Sequence, residues 1–246
     1  MLLPHLGSGS HVVLIARDRK ALEAVKAEAL SVAADVCISV VPLDLSNVNK
    51  EVYEKALKEA IEKTPKATFD IALLIQNAAT IGPIEQPALQ LTNVDLVRNY
   101  FDLNVTSFII FNSVFFGICD EQFARKRAVV NVSSGAGYIS IPSLHLYSAG
   151  KAARDSFFRS MAAEEPEIRV LNFNPGPAIT DMQMDIFQKT HSRKIKEWSR
   201  DGMDNNTFAT SEFVAEKLVD CLKRNDFESG SFYTIDNKKL AFRFEE

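Results

Sequence analysis

AVVNVSSGAGYISIPSLHLYSAGKAARDSFFRSMAAEEPEIRVLNF, residues 128–173, decides how this chain folds. AVVNVS (128–133) and IRVLNF (168–173) are short, apolar and β-branched, as buried strands are. HLYSAGKAARDSFFRSMAAEE (145–165) between them is alanine-rich and has helical period. Working outward, the same alternation recurs. HVVLIA (11–16), DVCISVV (35–41), FDIALLI (69–75) and SFYTI (231–235) read as further strands, and RKALEAVKAEALSVAA (19–34) and NKEVYEKALKEAIEK (49–63) as amphipathic helices. Strands apolar on both faces, alternating with helices, predict an α/β fold: a doubly wound parallel sheet with helices on both faces, in a single domain over residues 1–246.

The composition narrows the function classes. With 246 residues and 46% hydrophobic residues the chain supplies an ample core. A net charge of -4 leaves no basic excess for nucleic acid. Cys37, Cys119 and Cys221 have no CxxC spacing and read as reduced core thiols of a cytoplasmic protein. His5, His11, His145 and His191 form no ligand pattern, so no metal site is expected. FIIFNSVFFGIC (108–119) is too short to span a bilayer and reads as a buried helix. GSGS (7–10) precedes a strand and reads as a turn.

Parallel sheets of this kind bind ligands beyond the carboxyl ends of their strands. Those ends carry Arg17-Asp18, Asp44-Leu45, Gln76-Asn77-Ala78-Ala79, Ser133-Ser134 and Asn174-Pro175-Gly176-Pro177. Residues 176–209 read as one long irregular region, long enough for a lid. Tyr147 and Lys151, four apart on a helix, share one face. A phenol near an ammonium is a stronger acid than a free one, and Ser134, at a strand end, could bond the same carbonyl oxygen that Tyr147 protonates.

The serine thirteen residues before the tyrosine, and the lysine four after it, resemble the short-chain dehydrogenase/reductase family. The resemblance implies a Rossmann-like fold and hydride transfer between a nicotinamide and a carbonyl. YSAGKAARDSFFRSMAAEEPEIRVLNFNPGPAITDMQ (147–183) and RNYFDLNVTS (98–107) are similar, within that family, to a branch that reduces the side-chain ketone of a pterin in tetrahydrobiopterin synthesis. The same resemblance implies catalytic roles for Ser134, Tyr147, Lys151 and Asn104, the last in a water-linked proton relay. It implies NADPH as cofactor, held by Arg17 at the ribose 2′-phosphate, with Asp18 beside it. Asp44 and Leu45 would meet the adenine, Asn77 and Ala78 the ribose side, and Lys151 the nicotinamide ribose. Ala178, Ile179, Thr180, Asp181, Met182 and Gln183 would wrap the nicotinamide end. Ser134, Tyr147, Gly176 and Asp236 would contact the substrate.

Two departures from the family pattern stand out. The TGxxxGxG loop that cradles the pyrophosphate is missing, and by the resemblance so is the first strand, a central one between 11–16 and 69–75. We therefore expect an N-terminally shortened form of a longer reductase. The pterin-anchoring aspartate falls on Thr234 in an ungapped alignment, with Asp236 two residues on. Alternative readings are a general carbonyl or diketone reductase, or a catalytically impaired chain that acts as a binding partner. Helices around 95–119 and 145–163 match those that pair subunits in the family, so a homodimer is expected. The terminal LAFRFEE has no reading.

Overall fold

The computed structural model of the chain describes residues 5–33, 35–63 and 68–235. Six strands alternate with helices along them: β1 (His11–Ala16), β2 (Cys37–Pro42), β3 (Phe69–Gln76), β4 (Ala124–Val132), β5 (Ile168–Asn174) and β6 (Phe232–Thr234). The helices are α1 (Arg19–Val32), α2 (Lys50–Ile61), α3 (Val94–Phe101), α4 (Ser107–Ile118), α5 (His145–Glu164), α6 (Asp181–Lys189), α7 (Arg193–Asp204) and α8 (Ser211–Arg224). The fold is Rossmann-like, with all strand pairs parallel. Strands β3, β4, β5 and β6 form one sheet in that order, and β1 pairs only with β2 in a second. Among the described residues no hydrogen-bond ladder joins β1 to β3, and Ile71 on β3 is half exposed.

Alternation along the central strands explains why both sheet faces are covered. Val129 of β4 and Val170 of β5 point to Phe158 and Met161 of α5. The next residues, Val130 and Leu171, point the other way, to Leu218 and Cys221 of α8. Each such side chain contributes roughly 1.5–3 kcal/mol on burial, so a strand apolar at every position is stable only when sandwiched. A separate cluster joins Tyr53 and Leu57 of α2 to Phe111, Val114 and Phe115 of α4 and Ala72 of β3.

Local signals set the helix boundaries. Asp18, Asn49, Asn93, Thr180, Ser192 and Thr210 each accept a backbone N–H as N-caps. Pro166 follows the end of α5 closely, where its ring and missing N–H oppose continuation.

The structure corrects three expectations. Residues 176–209 contain α6 and α7 rather than one irregular stretch; Ile195, Ser199 and Gly202 recur on one buried face of α7, a helical period obscured by its many charges. Cys37 is exposed at the start of β2, whereas Cys119 and Cys221 are buried; burial pushes the Cys119 thiol up to about 12. The apolar helix is longer than FIIFNSVFFGIC, because α3 runs through a π turn (Asp102–Thr106) into α4. Val94–Ile118 is by length and composition long and apolar enough to cross a membrane. Its Phe111, Val114 and Phe115 nevertheless lie in the protein core against α2 and β3.

Candidate active site

Strand β4 ends at Val132, and three consecutive residues there are tied to three successive turns of α5. Lys151 Nζ donates to the Val132 carbonyl oxygen at 2.6 Å. Ser133 Oγ donates to Asp155 Oδ2 at 2.8 Å. The Ser134 side chain lies close enough to the Tyr147 phenol to hold its pKa down by hydrogen bonding. Tyr147, Lys151 and Asp155 stand four residues apart in turn, so α5 presents them as one stripe. Ser134 also accepts from Ala136 N at 3.2 Å and caps a tight turn, Gly135–Gly137. That turn lies so close to α5 that a Cβ on Gly137 would meet Asp155 Oδ2 at 2.6 Å.

The electrostatics differ from the simple tyrosine–lysine pair read in the sequence. Burial raises the Tyr147 phenol, and the Ser134 hydrogen bond and the Arg154 guanidinium pull it back. Lys151 Nζ sits 5.4 Å from the Tyr147 ring centroid, with its head turned to the strand carbonyl. Burial and nearby Arg154 push the Lys151 amine well below the usual lysine range, and Asp155 opposes them.

Beneath this stripe lies a buried polar lattice that the sequence reading missed. Arg154 Nε donates to Asn131 Oδ1 at 2.9 Å and its Nη2 to the Gln76 carbonyl at 2.8 Å. The guanidinium stacks 3.6 Å from the Phe108 ring centroid, and burial lowers it to about 10. Asn131 Nδ2 donates to Asp155 Oδ1 at 2.8 Å and to Asn172 Oδ1 at 2.9 Å. The signals were a polar residue inside the apolar run AVVNV and the continuation of the Tyr147–Lys151 spacing to Asp155.

Asn104 lies in the π turn, a distortion that frequently marks functional sites. Its Oδ1 accepts from Thr80 N at 2.9 Å, and its Nδ2 donates to Thr80 Oγ1 at 3.1 Å and to the Tyr100 carbonyl at 2.9 Å. It therefore anchors the loop after β3, where Asn77 and Ala78 are exposed.

At the end of β1, Arg17 is exposed and close enough to Asp44 to help hold that carboxyl below its usual range, after the two bonds from Ser46. Asp18 accepts from Lys20 N at 2.8 Å and Ala21 N at 3.1 Å, so its carboxylate is committed to the start of α1. Leu45 is half-buried against the α2–α4 core, and its carbonyl accepts the Tyr53 hydroxyl at 2.9 Å.

Beyond β5, Gly176 adopts φ +65 and its N–H donates to Asn174 Oδ1 at 3.0 Å, a conformation that favours glycine. Ala178 bridges to Ala209, and Ile179 N donates to the Ala209 carbonyl at 2.9 Å. Thr180 caps α6, on which Asp181 is exposed and Met182 half-buried. The Gln183 side chain is turned inward, donating to Ser199 Oγ at 2.7 Å and joining α6 to α7. Thr234 Oγ1 lies 3.5 Å from Asn174 Nδ2. Asp236 and LAFRFEE fall outside the described residues.

The residues suited to a nicotinamide dinucleotide are the exposed Arg17, whose neighbour Asp18 is committed to the start of α1, and the exposed Asn77 and Ala78 after β3. Among the described residues no glycine-rich turn opens a helix to receive a pyrophosphate.

The profile of the short chain dehydrogenase family matches residues 5–191. Sepiapterin reductase of Bos taurus is 32% identical over 232 residues, 94% of this chain and 86% of its own length. Benzil reductase ((S)-benzoin forming) of Bacillus subtilis is 24% identical over 200 residues, 76% of this chain and 78% of its own. Among solved structures, a short chain dehydrogenase/reductase from Saccharomyces cerevisiae superposes with a TM-score of 0.78 at 22% identity, covering 98% of this chain and 91% of that one.

Proposed function

The chain belongs to the short-chain dehydrogenase family, and we propose that it is an NADPH-dependent reductase of a side-chain ketone, of the sepiapterin reductase kind. The observation that carries this reading is the stripe of Tyr147 and buried Lys151 on α5, with the Ser134 side chain within reach of the Tyr147 phenol. The similarity to sepiapterin reductase along 94% of the chain supports the same choice.

A bound dihydronicotinamide would supply hydride to the carbonyl carbon. Tyr147 gives its phenolic proton to the carbonyl oxygen, and the Ser134 hydroxyl donates to that oxygen and steers it. Lys151 would take the nicotinamide ribose on turning from the Val132 carbonyl that it now meets, and Asn104 would support return of the proton through the loop it anchors. Arg17 would hold the 2′-phosphate, which would make NADPH the preferred form. Asp44 and Leu45 would border the adenine, and the residues from Gly176 to Gln183 would contact the nicotinamide end and the substrate. Asp236 anchors the pterin ring. The chain acts as one domain, in the cytoplasm, as a homodimer.

Thr234 favours a second reading. A neutral hydroxyl near Asn174 suits an uncharged diketone better than a pterin, as in the benzil reductase relative. Product analysis decides between them: incubation with NADPH and sepiapterin or benzil should give reduced pterin in preference to benzoin. The reverse preference supports the diketone reading, and reduction of neither refutes both.

A further inference from the structure

We propose that Ser133 and Asp155 are positioning residues that hold the Ser134 hydroxyl against Tyr147. The proposal rests on the reductase reading for its consequence in turnover, but its geometry stands apart from that reading.

Ser134 leaves the sheet at the end of β4, where the backbone Ser133 N–H donates to the Phe173 carbonyl at 2.7 Å. Beyond that point the chain turns over Gly135–Gly137 and loses the sheet's hold. Among the described residues the Ser134 Oγ accepts from Ala136 N of its own turn and lies near enough to the Tyr147 phenol to lower its pKa. The last firm side-chain anchor before it is therefore Ser133 Oγ on Asp155 Oδ2. Both residues are almost fully buried, at 1% and 3% exposure, so no water competes for this bond.

Asp155 is a rigid anchor because its other oxygen is held too. Oδ1 accepts from Asn131 Nδ2 on β4, and Asn131 is braced by Arg154 Nε and bonded to Asn172 on β5. Burying a carboxylate is costly, and an apolar substitute could give equal stability. A charged lattice of this kind does what an apolar patch cannot, since hydrogen bonds fix direction. Direction matters here, because a misplacement of about 1 Å can cost ~10²-fold in rate.

Burial raises the Tyr147 phenol and its bond from Ser134 lowers it, so the phenol itself reports whether Ser134 is in position. The titratable groups that face it are Tyr100 of α3 and Lys151, Arg154 and Asp155 of α5. It also packs against the apolar cluster of Ile84, Leu144, Ile186 of α6 and Ile195 of α7.

The test is an ultraviolet difference titration of phenolate in the full chain and its Ser133→Ala variant, with Tyr147→Phe identifying the Tyr147 signal. Ser133→Ala changes no charge, so the expected rise of about half to one pH unit reports the freed Ser134 bond. Gly137→Ala, whose new Cβ would push Asp155 Oδ2 aside, should move the midpoint the same way and serves if Ser133→Ala does not fold. Ser133→Thr keeps the hydroxyl and should restore the wild-type midpoint. In turnover, kcat should fall about tenfold in Ser133→Ala with KM for NADPH unchanged. An unmoved midpoint in folded Ser133→Ala and Gly137→Ala overturns the proposal. Absence of carbonyl reduction by the wild-type chain would refute the reductase reading alone, since the titration still decides the positioning role.

Discussion

Lys151 Nζ donates to the Val132 carbonyl oxygen at 2.6 Å, inside a site where its charge is poorly solvated. Its amine is held well below the ordinary 10.5, so the unfolded chain binds this proton more readily than the fold does. Stability on its account is full above pH 10.5 and is lost as pH falls toward the folded value. Lys151→Met removes this penalty. Its melting temperature relative to wild type should therefore be higher at pH 8 than at pH 10.5, and differential scanning at both values checks the sign.

Ser134→Ala deletes the hydroxyl that, in the proposed reaction, would steer the carbonyl oxygen, and that lowers the Tyr147 phenol pKa. A kcat about 10²-fold lower, with KM for NADPH unchanged, is expected in steady-state assays.

Much of this architecture was legible because periodicity and burial coincide. Val129 and Val130 serve opposite faces of one strand, and an uninterrupted apolar run is the signature of that arrangement. The Tyr147–Lys151 stripe was equally legible, since helical spacing alone puts the two on one face. The lattice around Arg154 was not: its partners come from β3, β4 and α5, and contacts across such distances leave no local pattern. The α7 helix was obscured because its charged residues outnumber the few that face inward.

Arg154 is buried to 1% exposure with a partner on each of two strands. Arg154→Met leaves Asn131 Oδ1 and the Gln76 carbonyl without their buried donor and removes one of the two cations near Asp155, and a loss of about 3–5 kcal/mol is expected by urea denaturation.

Arg17 is exposed at the end of β1 while Asp18 is engaged as a helix cap. Arg17→Ala should raise KM for NADPH at least about tenfold and leave KM for NADH nearly unchanged, since only the former carries the 2′-phosphate.

The most direct test of the central claim is NADPH consumption by the full chain with a side-chain keto pterin, compared with its Tyr147→Phe variant. The account predicts steady oxidation by the wild type and loss of turnover in the variant with NADPH still bound. Equal rates in the two proteins, or no oxidation by a folded wild type, would contradict it.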